Sequence, residues 1–184
     1  MSVIGNLTVG VMGSSQDEHV ELAGPLGQLL ADLEFNLLTG AGRGVMTSVS
    51  RAFLEARRGR GISIGVVPCA SLDARRSPRA GSPNPYVELP VYTHLPLSGV
   101  DGQHDLSRNH INVLTSDVII ALPGSDGTRS EVELAVKYDR PVAVFAESAA
   151  QVAHFAGGIP RLFDIKDVEV FLADLMERHG GRLD

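Results

Sequence analysis

Asp117-Val118-Ile119-Ile120-Ala121-Leu122-Pro123-Gly124-Ser125-Asp126-Gly127-Thr128-Arg129-Ser130-Glu131 runs from an almost wholly apolar stretch through a glycine turn into a polar, helix-prone segment. The apolar run Asp117–Leu122 is strand-length and does not alternate, which predicts a central parallel strand buried on both faces. The residues beyond the turn predict a helix over Gly127–Tyr138. Strand, glycine turn and helix in this order make half of a βαβ unit, and the remainder of the chain repeats the alternation.

Working outward, Leu7–Met12 reads as a strand joined by Gly13-Ser14-Ser15 to a helix over Val20–Leu33, where Leu22, Ala23, Leu26, Leu29, Leu30 and Leu33 recur at helical spacing. A short strand, Phe35–Leu38, leads through Thr39-Gly40-Ala41-Gly42-Arg43-Gly44 into a helix from Val45 to Arg57. Further strands are expected at Ile62–Val67, Tyr86–Tyr92 and Pro141–Phe145, with helices at Leu106–Thr115, Ala149–Phe155 and Val168–His179. The segment Pro68–Pro85, rich in Pro, Ser, Arg and Gly, is longer than most βα connections and reads as an active-site loop or a mobile one. The expected architecture is α/β: a three-layer Rossmann-like fold with a mainly parallel sheet flanked by helices. Residues 1–184 are expected to form a single domain of this kind.

Composition narrows the function classes. The 184 residues are 43% hydrophobic and 21% charged, a globular balance, with a net charge of −6 that argues against a nucleic-acid-binding role. One cysteine, Cys69, rules out an internal disulfide and reads as a small buried residue. The N-terminus lacks the charged-then-apolar pattern of a secretory leader and no apolar run is long enough to span a bilayer, so a cytoplasmic setting without membrane association is expected.

In an open parallel sheet, ligands bind where loops leave the strand C-termini. That rule gathers Gly13–Ser15, Gly40–Gly44, Pro68–Pro85, Pro123–Thr128 and Arg108 at one edge. The glycines of Pro123–Thr128 let backbone approach an anion, and the N–H groups and dipole of the next helix attract phosphate. The competing reading makes Thr128 and Glu131 a capping box of the form Thr-x-x-Glu, while Glu131 also qualifies as a ligand-facing carboxylate. Gly40–Gly44 is spaced GxGxG, with no acidic residue ending the second strand, which disfavours a dinucleotide cofactor; it is a ligand contact or a tight helix-entry turn. Arg108 is a ligand-facing cation or a solvated helix residue, whereas Arg75, Arg76 and Arg79 on the long loop are accounted for by solvation. The six histidines show no metal-site spacing, so neither a metal nor an organic cofactor is expected.

Arg108 followed by Pro123-Gly124-Ser125-Asp126-Gly127-Thr128-Arg129-Ser130-Glu131 resembles the LOG (LONELY GUY) superfamily, formerly called putative lysine decarboxylases, whose signature is a helix-borne Arg and then PGGxGTxxE after a strand. Val9–Ser15 and Leu38–Met46 are similar to its first strand and second glycine turn. Asn84-Pro85-Tyr86-Val87 and Arg108-Asn109 look more like the branch holding molybdenum-cofactor carrier proteins. The resemblance implies a homodimer, or an assembly of dimers, that binds a nucleoside 5′-monophosphate or similar ligand. It implies Arg108 and Glu131 as a catalytic pair for hydrolysis of the N-glycosidic bond to base and ribose 5-phosphate. Ligand contacts would come from Gly13, Ser14, Gly42, Gly44, Met46, Arg108, Asn109, Pro123, Gly124, Ser125, Gly127 and Thr128. Two departures stand out: Ser125 replaces the second glycine of PGGxGT, and Asp126 puts a negative charge beside the anion site unless it pairs with Arg129. The alternative implied is a non-catalytic nucleotide or molybdenum-cofactor carrier, and a weaker third is a regulatory oligomer that senses its ligand.

Overall fold

The computed structural model describes residues 7–180. Seven strands form one sheet: β1 (Thr8–Met12), β2 (Asn36–Thr39), β3 (Ser63–Val67), β4 (Leu89–Tyr92), β5 (Val118–Ala121), β6 (Val142–Phe145) and β7 (Arg161–Leu162). Their order across the sheet is β4-β3-β2-β1-β5-β6-β7, and every neighbouring pair is parallel. Five α-helices flank the sheet: α1 (Val20–Asp32), α2 (Val45–Ala56), α3 (Asn109–Thr115), α4 (Asp126–Lys137) and α5 (Ile165–Gly180). The α/β Rossmann-like expectation is met.

Alternate residues of the same strands feed two separate cores, which is the period-2 geometry of a sheet covered on both faces. Val9, Val11, Leu37, Val118 and Ile120 pack with α1, α2 and α5, whereas Met12, Leu38, Ile119 and Ala121 pack with α3 and α4. Fully buried side chains such as Leu26, Leu37, Ile119 and Leu134 each contribute about 1.5–3 kcal/mol. Where α1 meets α2, a Cβ on Gly27 would come within 2.6 Å of the Val49 carbonyl oxygen, so only glycine permits this close a crossing. Among the described residues, no helix is long and apolar enough to cross a membrane.

Several boundaries move for local reasons. β4 starts at Leu89, not Tyr86, because Asn84 Oδ1 accepts from the Tyr86 N–H and turns the chain just before it. The helix expected from Leu106 begins at Asn109, after a turn in which Ser107 N–H donates to the His104 carbonyl. Ala149–Phe155 contains only the 3₁₀ turn Ala149–Val152, and the terminal helix starts earlier, at Ile165. β7, unforeseen, has two residues, too few for a periodic signal. Another 3₁₀ turn, Gly99–Asp101, lies in the segment between β4 and α3.

The chain moves outward from β1 to β4 on one side, then returns to lay β5 against the other side of β1. The strand order therefore reverses between β1 and β5, and the crevice beyond their C-terminal ends is where such sheets bind ligands.

Candidate functional site

The loops at this switch point are held together by main-chain bonds. Ser14 N–H donates to the Pro123 carbonyl at 3.2 Å, and the Ser14 carbonyl accepts from Val45 N–H at 3.0 Å, joining the ends of β1 and β5 to the start of α2. Gly44 makes this possible: its φ is +63°, and a Cβ would fall 2.4 Å from the Ser14 carbonyl oxygen. The Ser14 hydroxyl closes its own turn, accepting from the N–H groups of Gln16 and Asp17.

After β5, a Cβ on Gly124 would sit 2.1 Å from Thr128 Oγ1, so the glycine is needed for the loop to lie against α4. Ser125 occupies the N-cap position in extended backbone (φ −101°) and makes no side-chain cap bond. The replacement of glycine here thus imposes no left-handed strain. Asp126 pairs with Arg129 at 2.7 Å, both half-exposed, away from the crevice that Ser125, Gly127 and Thr128 line. The capping-box reading fails: α4 begins at Asp126, and Thr128 and Glu131 are buried residues within the helix.

Arg108 immediately precedes α3 and is 7% exposed. Its guanidinium abuts Gly40 through its Nη1/Nη2 edge, where a Cβ would meet Nη1 at 2.1 Å and Nη2 at 2.2 Å. Nη1 is 3.9 Å from Glu131 Oε1, an ion pair without a hydrogen bond, and both Nε and Nη1 are buried with no hydrogen-bond partner among the described residues. Asn112, one turn along α3, donates from Nδ2 to the same Glu131 oxygen at 2.9 Å. Asn109 Nδ2 donates to Ser130 Oγ, which in turn donates to the Gly127 carbonyl, locking α3 to the first turn of α4.

Burial dominates the electrostatics. It pushes the Glu131 carboxyl above its ordinary range, against the opposing pull of Arg108 and of the Asn112 hydrogen bond. Burial likewise lowers Arg108; Glu131 acts against this, and nearby Arg79 adds to it. A buried arginine with spare N–H groups beside a destabilised carboxylate is poised to receive an anionic ligand and to exchange a proton.

These groups border a cleft of about 530 Å³, within the range of small-molecule sites. Gly13, Ser14, Gly42, Met46, Arg108, Asn109, Ser125, Gly127, Thr128 and Glu131 line it. Gly44, Pro123 and Gly124 do not; they shape the loops behind it. The long loop proves to be a wall of the cleft, contributing Pro68, Arg79 and Ala80 through Ser82. It is tied to the second glycine turn, because Asn84 Nδ2 donates to the Gly42 carbonyl and Asn84 N–H to that of Ala41. Arg75 and Arg76 are exposed, as solvation predicts, but Arg79 is half-buried and donates to Ser98 Oγ and the Pro96 carbonyl. Gln16 and Gly99 also line the cleft without having been anticipated, and Arg43 joins it from the second glycine turn. Cys69 is buried, with its Sγ 3.4 Å from the Ser71 carbonyl oxygen.

The SLOG cluster4 family model matches residues 6–170. The chain belongs to the SLOG cluster4 family. This SLOG protein is similar to the molybdenum cofactor binding protein of Rippkaea orientalis, at 28% identity and TM-score 0.74, covering 94% of this chain and 99% of that one. It is similar also to the molybdenum cofactor carrier protein of Chlamydomonas reinhardtii, at 26% identity and TM-score 0.70, with 94% and 99% covered. DNA processing protein A of Streptococcus pneumoniae, 18% identical with TM-score 0.60 over 90% of this chain and 61% of that one, shares the fold alone. Comparison with curated proteins gives no significant match.

Proposed function

We propose that this SLOG protein binds a nucleoside 5′-monophosphate in the β1/β5 crevice and hydrolyses its N-glycosidic bond. The observation that carries the reading is Arg108, buried at the cleft with two nitrogens that have no hydrogen-bond partner among the described residues and within 3.9 Å of a burial-destabilised Glu131. In this reading the phosphate sits on the N–H groups at the start of α4, beside Ser125, Gly127 and Thr128. Arg108 supplies charge-assisted hydrogen bonds to it. Glu131 faces the sugar, where its carboxylate stabilises positive charge growing at C1′ and accepts a proton from the attacking water. The C1′–N bond breaks as the water oxygen bonds to C1′, and the base leaves with the bonding pair and takes up a proton. The products are free base and ribose 5-phosphate. The protein acts in the cytoplasm as a homodimer, an assembly that analytical ultracentrifugation checks.

A second reading, non-catalytic carriage of a phosphorylated pterin-type or nucleotide ligand, is favoured by similarity to two molybdenum-cofactor proteins over nearly their full lengths. It uses the same phosphate subsite and leaves the ligand intact. Base release from a panel of purine and cytokinin riboside monophosphates decides between them. Turnover that disappears in Glu131→Ala and Arg108→Ala supports hydrolysis. Tight binding with no base released by the folded wild type supports carriage.

A further inference from the structure

Two sets of bonds fix the route by which Arg79 reaches the cleft. Just beyond β3 the long loop folds back on itself: Ala70 N–H donates to the Ser77 carbonyl, Arg79 N–H donates to that of Pro68, and Cys69 pairs antiparallel with Pro78. This hairpin sets the Arg79 backbone beside the C-terminal end of β3, on the ligand edge of the sheet. From there the side chain donates from Nη1 to Ser98 Oγ at 2.7 Å and from Nη2 to the Pro96 carbonyl.

Pro96–Gly99 in turn touches the other parts of the phosphate site. The Leu97 carbonyl accepts from Arg108 N–H at 3.2 Å, and a Cβ on Gly127, in the first turn of α4, would stand 3.2 Å from Gly99 Cα. Arg79 and Arg108 therefore line one cleft beside the start of α4, close enough to repel each other. Arg79 has no carboxylate partner among the described residues, and Glu131 is the single acid in the lining. Arg43, the remaining cation there, is exposed at the second glycine turn. Both inner guanidiniums keep donors to spare. Nε and Nη1 of Arg108 have no partner among the described residues, and the two bonds of Arg79 use only part of its fork. An anion placed between them relieves their repulsion and accepts from both, with the N-terminal dipole of α4 adding to the attraction.

We propose that Arg79 is a second phosphate-binding guanidinium of this site, delivered by the loop leaving β3, and that the pair selects a terminal phosphate monoester in its doubly charged form. This rests on the phosphate site proposed above. Calorimetric titration at pH 7.5 with two probes tests it: ribose 5-phosphate, which has no N-glycosidic bond to cleave, and ribose 5-sulfate, of the same shape but singly charged. A phosphate monoester is close to doubly charged at that pH. The wild type should bind the phosphate at least tenfold more tightly than the sulfate. Arg79→Gln should weaken the phosphate at least tenfold and the sulfate less than threefold, whereas Arg79→Lys, which keeps the charge, should hold the preference within threefold of wild type. If Arg79 only tethers the loop, Arg79→Gln weakens both probes alike; that result, or a wild type without preference, overturns the role of Arg79 alone. Should Arg79→Gln not fold, a crystal structure of the wild type with ribose 5-phosphate decides. A phosphate oxygen hydrogen-bonded to Arg79 is expected, and a phosphate held by Arg108 and α4 without it overturns the proposal. Failure of ribose 5-phosphate and of 5′-AMP to bind overturns the phosphate reading with it.

Discussion

Replacing Glu131 by glutamine keeps the size of the side chain and its acceptor for Asn112 but removes its charge. Attraction between Glu131 and Arg108 at 3.9 Å is worth about 4 kcal/mol at an effective dielectric of about 20. Against this stands a desolvation cost of several kcal/mol for a buried ion. Burial is the largest influence on Glu131 and lifts its pKa, so the ionised form is destabilised even after Arg108 and Asn112 have acted. The neutral glutamine should therefore make the fold more stable at pH 7, by about 0.5–2 kcal/mol. For a chain of this length that raises Tm by about 1–8 °C. Because the folded-state pKa is raised, this carboxyl's contribution is fully favourable below its ordinary value of 4.5 and is lost as pH climbs through the folded value. The gap between variant and wild type should thus open with rising pH and close near pH 4. Calorimetric unfolding of both proteins from pH 4 to 8 measures it, and base release by the variant should fall at least about 100-fold. A glutamine variant less stable than wild type at pH 7, or a gap independent of pH, would refute the reasoning.

Gly44→Ala places a side chain at φ +63° and against the Ser14 carbonyl oxygen, and should cost about 2–5 kcal/mol by thermal denaturation. Ser125→Gly, by contrast, restores the superfamily's glycine at an extended residue without a cap bond; stability should fall by only a few tenths of a kcal/mol and ligand affinity by less than about threefold. Asn84→Ala removes the bonds from the long loop to Gly42 and Tyr86, costing about 1–2 kcal/mol, and should speed amide exchange across residues 68–85 more than in β1 or β5.

The parts of the fold visible in sequence are those where physics repeats along the chain. Ile119 and Ile120 face opposite cores, so their strand reads as a continuous apolar run, and α1 announces itself through leucines at helical spacing. Gly40–Gly44 and Pro123–Thr128 were legible as site loops because strand ends, glycines and a helix start coincide there. Arg79 was not legible. Its neighbours Arg75 and Arg76 are of the same type and are solvated, and what separates Arg79 from them is a pair of acceptors, Pro96 and Ser98, contributed by a distant irregular segment. Thr128 and Glu131 left two readings open, since Thr-x-x-Glu fits a helix start as well as a ligand site; the N-cap is in fact Ser125, three residues before Thr128, and both side chains are buried within the helix.

The close approach of the Arg108 guanidinium to Gly40 couples two positions 68 residues apart in the chain. Any side chain at position 40 would occupy the volume of the arginine head group, so neither site can drift independently. Among descendants of the same ancestor, a larger residue at 40 should be tolerated only where 108 has shrunk and surrendered its charge. Such a lineage would have abandoned this mode of ligand capture, and the residue at position 40 alone would mark the event.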